Sequence, residues 1–253
     1  MLLTKKDKKE PSFDFKESII LFRKEYVGAI LLEDEEIMEI VKKRQKQESA
    51  EKENKGEPAH SSKDFLKEIK EWENFYKDNF KETIDLSKVK MPKRPKGNYR
   101  LLIIKKGLTS NQVFVRCKEL FNVCKYKEDL NEAITKNSRN PKEHYAVWVQ
   151  ANQEPDPEYL GKPTKDADPD MKIGITLLER LIFELNYYDE NKDKREDKEK
   201  HLDIKGLTFC TGSRDADGGV PGVSWSGDDS RLLVHWFHSA SCYPRYGLRL
   251  AVC

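Results

Sequence analysis

Two short runs near the end of the chain hold residue types that ligate metal ions. His235, His238 and Cys242, with Cys210 as a fourth member, offer the imidazole and thiolate donors of a zinc site. The step from His235 to His238 belongs to a strand or loop and lacks the helical spacing that aligns two imidazoles, so no zinc site is read here. Asp215-Ala216-Asp217-Gly218-Gly219 opens like a calcium loop but lacks the continuing alternation of acidic ligands and the closing Glu. No Ser-His-Asp elbow, phosphate-cradling glycine loop or paired-carboxylate signature occurs anywhere. No catalysis, metal or other cofactor is expected.

The same region is unusual for a second reason. From Leu207 to Cys253 the chain contains no Lys, Glu, Gln, Met or Asn, although Lys and Glu are dense up to Lys205. Gly, Ser, Asp, His, Tyr, Cys and Arg stand instead between the apolar anchors Trp225, Leu232, Val234, Trp236, Leu248, Leu250 and Val252. A solvated surface ordinarily recruits Lys and Glu, whereas binding faces are depleted in both and favour Tyr, Arg, Ser and Gly. The competing reading is that a β-rich segment avoids Lys and Glu through strand propensity alone.

Across the whole chain the hydrophobic fraction is 37% and the charged fraction 36%, so part of it must be helical surface or linker rather than interior. A formal charge of +2 gives no chain-wide attraction to polyanions, and no nucleic-acid partner is expected. The start of the chain (Lys5, Lys6, Lys8, Lys9) does not read as a signal peptide, and no apolar run is long enough to span a bilayer. Five cysteines without paired spacing suit a reducing compartment, so a cytoplasmic protein is expected.

The elements that must position the terminal segment fall into two parts. Residues 1–90 read as a helical, charged region: apolar patterns at Phe13 to Phe22 and at Ile37 to Val41, a polar linker at 45–62, then an aromatic stripe. That stripe, Phe65, Leu66, Ile69, Trp72, Phe75, Tyr76 and Phe80, follows a capping signature at Ser61 and Asp64 and requires a cover, expected from the neighbouring domain or the first helices. The basic, proline-broken stretch from Lys88 to Lys96 reads as a second linker. From residue 96 onward the pattern predicts an α+β domain. Strands are expected at 99–105 and 145–150, and capping boxes at Thr109/Gln112 and Thr176/Glu179 each open a helix. Cys117 falls on the apolar face of the first of these helices and is expected in the core. The loop from Gln153 to Met171 and the charged run from Asp189 to His201 are expected to be exposed. Short strands follow at 207–210, 220–225, 232–237 and 247–252. In the third, Leu232, Val234 and Trp236 share one face, opposite His235 and Phe237.

A strand, two capped helices and a run of short strands closing on Gly247-Leu248-Arg249-Leu250-Ala251-Val252 resembles the C-type-lectin-like fold of the formylglycine-generating-enzyme type, with Leu248 where an aromatic is common. Within that fold, several motifs together are similar to the variable proteins of diversity-generating retroelements: Thr208 to Arg214, Asp217-Gly218, Val220-Pro221, Trp225-Ser226, Val234-His235-Trp236 and Leu248-Arg249. The resemblance spans about residues 96–253. Cys210 and Cys242 do not sit in the reactive-cysteine motif of the oxidase relatives, and Tyr246 stands where a sulfatase-type substrate motif at Cys242 requires Arg.

The resemblance implies adenine-directed mutagenesis of Asn-type codons, which can encode neither Lys, Glu, Gln, Met nor Trp. The composition from Leu207 obeys this outside Trp225 and Trp236, which are assigned to the fixed scaffold with Gly247, Leu248, Arg249 and Leu250. The diversified, ligand-contacting positions it implies are Arg214, Asp215, Asp217, Gly219, Gly222, Ser224, Ser226, Asp228, Ser230, His235, Phe237, His238, Ser239, Ser241, Tyr243, Arg245 and Tyr246. The implied partner is a protein or other macromolecule. The alternative is a module of fixed specificity, with or without a stabilising metal ion.

Overall fold

The computed structural model describes residues 62–253. The helices expected near 13–22 and 37–41, and the linker at 45–62 apart from its last residue, lie outside the described residues. The chain is mixed α+β. In order it forms α1 (Ser62–Phe80), β1 (Tyr99–Ile104), α2 (Ser110–Leu120), β2 (Val123–Lys125), α3 (Leu130–Ala133), β3 (Lys136–Asn137) and β4 (Tyr145–Gln150). Then come α4 (Thr164–Ala167), α5 (Leu177–Asn191), β5 (Leu207–Phe209), β6 (Ser213–Arg214), β7 (Val220–Ser226), β8 (Arg231–Phe237) and β9 (Tyr246–Leu248). Among the described residues no helix is long and apolar enough to cross a membrane.

The aromatic stripe of α1 is covered by the body that follows it except at Leu66, which is 66% exposed. Trp72, Phe75 and Tyr76 are buried. The Tyr76 hydroxyl donates to the Ile103 carbonyl at 2.8 Å and accepts from the Lys105 amide at 3.0 Å, which fixes the helix at the end of β1. All the described residues, α1 included, belong to one compact unit. The stretch read as a second linker also lies on this body: Val89 and Met91 pack against the core, and the Pro92 carbonyl accepts the Trp148 indole N–H at 3.0 Å.

β1 pairs antiparallel with β4, from Tyr99 opposite Gln150 to Ile104 opposite Tyr145. Leu101 to Ile104 and Ala146 to Val149 are buried without alternation, as in strands covered on both faces. The five-stranded sheet runs β2-β8-β7-β5-β9. The end of the chain links the two sheets, because Leu250 bridges Gly174 and Val252 bridges Trp148 beyond β9. Both capping boxes close as their sequences require, with Thr109 and Gln112 on α2 and Thr176 and Glu179 on α5. Cys117 is fully buried, and burial pushes its thiol well above the ordinary range.

Every residue of α5 from Leu177 to Leu185 is buried, including Glu179, Arg180 and Glu184. Charges so placed must be paired. Arg139 and the Tyr145 hydroxyl bind the Glu179 carboxylate at 2.7 and 3.0 Å. Arg180 donates to Asp203 at 2.8 and 2.9 Å and to Glu184 at 2.8 Å. From the other side Arg249 donates to the second Asp203 oxygen at 2.6 Å and to the carbonyls of Asn152 and Gln153, both at 2.7 Å. Burial alone would raise the Asp203 pKa, but Arg249 and Arg180 together hold it below the usual carboxylate range. His201, at the end of the run expected to be exposed, is 1% exposed: its ring stacks on Trp225 at 3.4 Å and its Nδ1 meets Glu184 at 2.8 Å. The loop 153–171 is likewise not fully exposed, since Asp156, Thr164 and Asp168 are buried.

Removing one arm of the charge network should cost far more than removing a surface ion pair. Arg180→Ala leaves Asp203 and Glu184 short of a buried partner, and a loss of about 3–5 kcal/mol is expected in urea unfolding. Asp156 gives a pH signature. It is fully buried, accepts the Leu250 amide at 2.7 Å, and has no partner on its second oxygen. Burial raises its pKa from 3.8 to about 6, against the Leu250 amide and Arg249, which lower it. A carboxyl raised in the folded state favours folding while protonated, and that contribution is lost as pH rises from about 4 through about 6. Asp156→Asn should therefore gain on the parent chain, on the order of 2 kcal/mol between pH 4 and pH 7. A pH-independent difference in urea midpoints would contradict this.

Candidate functional site

The β7–β8 ladder pairs Val220 with Phe237, Gly222 with His235, Ser224 with Leu233 and Ser226 with Arg231. Directly paired residues share a face, so these eight form one side of the sheet. The opposite side carries Val223, Trp225, Leu232 and Val234, all buried in the main core, with the half-buried Trp236 packed against it. The expected division of β8 into two faces is therefore the observed one. Trp236 is less buried than an anchor was expected to be, and its indole N–H has no hydrogen-bond partner.

The outward side is aromatic. Tyr126 stacks on His235 at 4.5 Å, His235 lies 5.9 Å from Phe237, and Phe237 lies 6.4 Å from Tyr243 and 5.8 Å from Tyr246. Beneath them Leu207, Phe209 and Val220 form a small buried cluster against which Phe237 and Tyr246 pack. Burial holds the His235 imidazole below its usual range, which disfavours its charged form.

Fifteen of the seventeen expected contact residues are exposed or half-exposed. Asp215, Asp217 and Gly219 lie in the loop before β7, His238, Ser239, Ser241, Tyr243 and Arg245 in the loop after β8, and Tyr246 opens β9. Asp228 and Ser230 lie at the hairpin tip, at the opposite end of the seven-residue strands, about 20 Å away. The set is thus a strip running along the sheet, with a loop cluster at one end and a hairpin tip at the other.

Two residues do not belong to it. Arg214 is 7% exposed and turns inward, donating to the carbonyls of Thr211, Ser213 and Asp168. Gly222 is buried, and a Cβ there would stand 2.7 Å from both Leu207 Cδ2 and Phe237 Cε2. The terminal strand also differs in detail: β9 ends at Leu248, and the buried residues of the run are Gly247, Leu248, Arg249 and Ala251, while Leu250 and Val252 are half-exposed. Gly247 has a steric reason, since an added Cβ would meet Leu160 and the Tyr159 carbonyl at 3.2 Å.

No family model, curated protein or solved structure matches this chain. Its site must therefore be read from its own geometry. His235, His238, Cys210 and Cys242 are not brought together, and among the described residues no group of three His, Cys, Asp or Glu side chains could hold a metal ion. Cys210 is buried in the core and its thiol is raised by burial. The Cys242 thiol donates to the Gly161 carbonyl at 2.8 Å. One oxygen of the Asp215 carboxylate, Oδ1, accepts the amides of Asp217 at 3.1 Å and Gly219 at 2.6 Å, which closes the calcium-like loop on itself.

The loop 238–245 is held mainly by its backbone. The Ser239 carbonyl accepts from the Lys165 amide at 3.0 Å and the Thr164 hydroxyl at 3.1 Å, and the Gly161 amide donates to Tyr246 at 2.9 Å. Two side chains add to this, the His238 ring accepting the Ala240 amide at 3.1 Å and the Cys242 thiol donating to Gly161, while Ser239, Ser241, Tyr243 and Arg245 make no hydrogen bond that the loop needs. Sequence reading missed Tyr126, which is 67% exposed and follows β2, a three-residue strand with no alternation long enough to reveal it.

These placements separate two kinds of substitution. Gly222→Ala should destabilise by about 1–3 kcal/mol through overpacking. Tyr243→Ala, at a residue 48% exposed, should cost less than about 1 kcal/mol. Thermal melts of the two variants check both; equal losses would place position 243 in the fold rather than on the face.

Proposed function

We propose that this chain is a binding protein of C-type-lectin-like fold whose outward face is hypervariable through retroelement-directed, adenine-specific mutagenesis, and which binds a macromolecular ligand without catalysis. One observation carries the reading: the segment free of Lys, Glu, Gln and Met supplies both a buried scaffold and a half-exposed aromatic and small-polar face. Solvent-facing positions that ordinarily draw Lys and Glu instead carry Tyr, His, Phe, Ser, Asp and Arg. These residues give contact area with few torsions to freeze, together with adaptable hydrogen bonding.

The arrangement of the fixed parts supports the same reading. Trp225 is buried against His201, and Arg249 is held by Asp203 and Thr208. The terminal run also returns to β4, as a lectin-like closure would. The test is to sequence the locus across the source population. Substitutions are expected at the fifteen face positions, with Arg214, Gly222, Trp225, Trp236 and Gly247 to Leu250 unchanged. Uniform low variation across codons 207 to 253 would overturn the reading in favour of a module of fixed specificity.

A further inference from the structure

The residue that completes the aromatic strip lies outside the segment assigned to diversification. The Tyr126 amide donates to the Val234 carbonyl at 3.1 Å, so its backbone extends the β2–β8 ladder. The chain after it is closed by local bonds: Lys125 Nζ donates to the Glu128 carbonyl, and Asp129 accepts from the amides of Asn131 and Glu132 at 2.8 and 3.0 Å. One face of the Tyr126 ring rests on His235, with 28° between the planes, and the rest is open to solvent. A single exposed aromatic is unremarkable, but one continuous with His235, Phe237, Tyr243 and Tyr246 extends an apolar patch of the kind that marks contact surfaces. Its position on a sheet edge means that little entropy remains to be lost when it is covered.

We infer that Tyr126 is a constant contact residue of the binding face, which packs on an uncharged protein surface beside whichever side chain occupies position 235. The inference rests on the binding role proposed for residues 207–253. The outward residues of β7 and β8 include one charged group, Arg231, which is paired with Asp229 at 3.0 Å. Covering the strand part of the strip therefore desolvates no lone charge, and the charges of the set, Asp215, Asp217, Asp228 and Arg245, stand in the loops at its two ends, whereas a polyanion would find no free cation along those two strands. A ring fixed outside the variable segment gives every variant the same anchor, and the variable residues adjust around it.

The experiment uses the full-length chain displayed on phage, with the fifteen face positions randomised and binders selected on immobilised ubiquitin. In most selected clones Tyr126→Ala is expected to raise Kd about tenfold or more, and Tyr126→Phe less than about threefold, as for a stacking anchor. The melting temperature of Tyr126→Ala should stay within about 2 °C of the parent, because the ring is exposed. Clones that bind tightly and lose less than about twofold on Tyr126→Ala overturn this inference alone. Failure to recover any binder overturns both this inference and the binding role beneath it.

Discussion

The structure depends on one buried carboxylate shared by two guanidinium groups. Asp203 stands between Arg180 of α5 and Arg249 of the terminal run, and all three side chains are fully buried. The aspartate occupies a left-handed backbone conformation (φ 56°), which Asp tolerates better than most residues. Its amide donates to Gln153 and its carbonyl accepts from Trp225, so four chain segments meet at one residue. Two cations around one anion would be costly to bury, but Glu184 adds the second negative charge on Arg180. The carbonyls of Asn152 and Gln153 and the Thr208 hydroxyl accept further Arg249 protons. Such a network has directional demands that apolar packing lacks. It holds the terminal run and β7 at defined positions whatever stands on the outward face.

That separation is what the sheet then uses. Inward residues of β7 and β8 join the core with α5, while their outward neighbours pack on one another, on Tyr126, on the outward residues of β5 and β9, and on the loops. Strand periodicity puts the two sets on alternate residues, so a change on one side leaves the other in place. The separation is incomplete at one end. Phe237 and Tyr246 pack on Leu207, Phe209 and Val220, and Phe237 also fills the space above Gly222. These two positions are the least free of the fifteen, because an Asp or Gly there would uncover a buried apolar cluster. His235, Ser224, Ser226 and the loop positions have no such burden.

Most elements carrying strong local signals were legible from the sequence. The two capping boxes announce α2 and α5, and the strands at 99–104, 145–150, 220–226 and 231–237 were placed to within a residue or two. The short elements β2, α3, β3, α4 and β6 were not, because two to four residues are too few for a period to show. Composition misled where tertiary pairing overrides it. His201 sits at the end of a run of charged residues and is nevertheless buried, since Glu184 and Trp225 lie across from it. Arg214 and Gly222 fell within the expected variable set because their residue types fit it, but a long-range contact decides each. Arg214 meets the carbonyl of Asp168 from a distant loop, and Gly222 meets Phe237 from the next strand.

The geometry also bears on the rival account of the terminal composition. Strand propensity disfavours Lys and Glu, and that alone could empty β5, β7, β8 and β9 of both residues. It has no force in the connections. Residues 215–219, 227–230 and 238–245 lie outside strands and are largely exposed, and they too contain neither Lys nor Glu. Exposed connections elsewhere do the opposite: Lys127-Glu128 comes just after β2 and Tyr126, and residues 192–200 are all Lys, Glu, Asp or Arg. A constraint that reaches strands and loops alike, yet stops between Lys205 and Leu207, follows position in the chain rather than secondary structure.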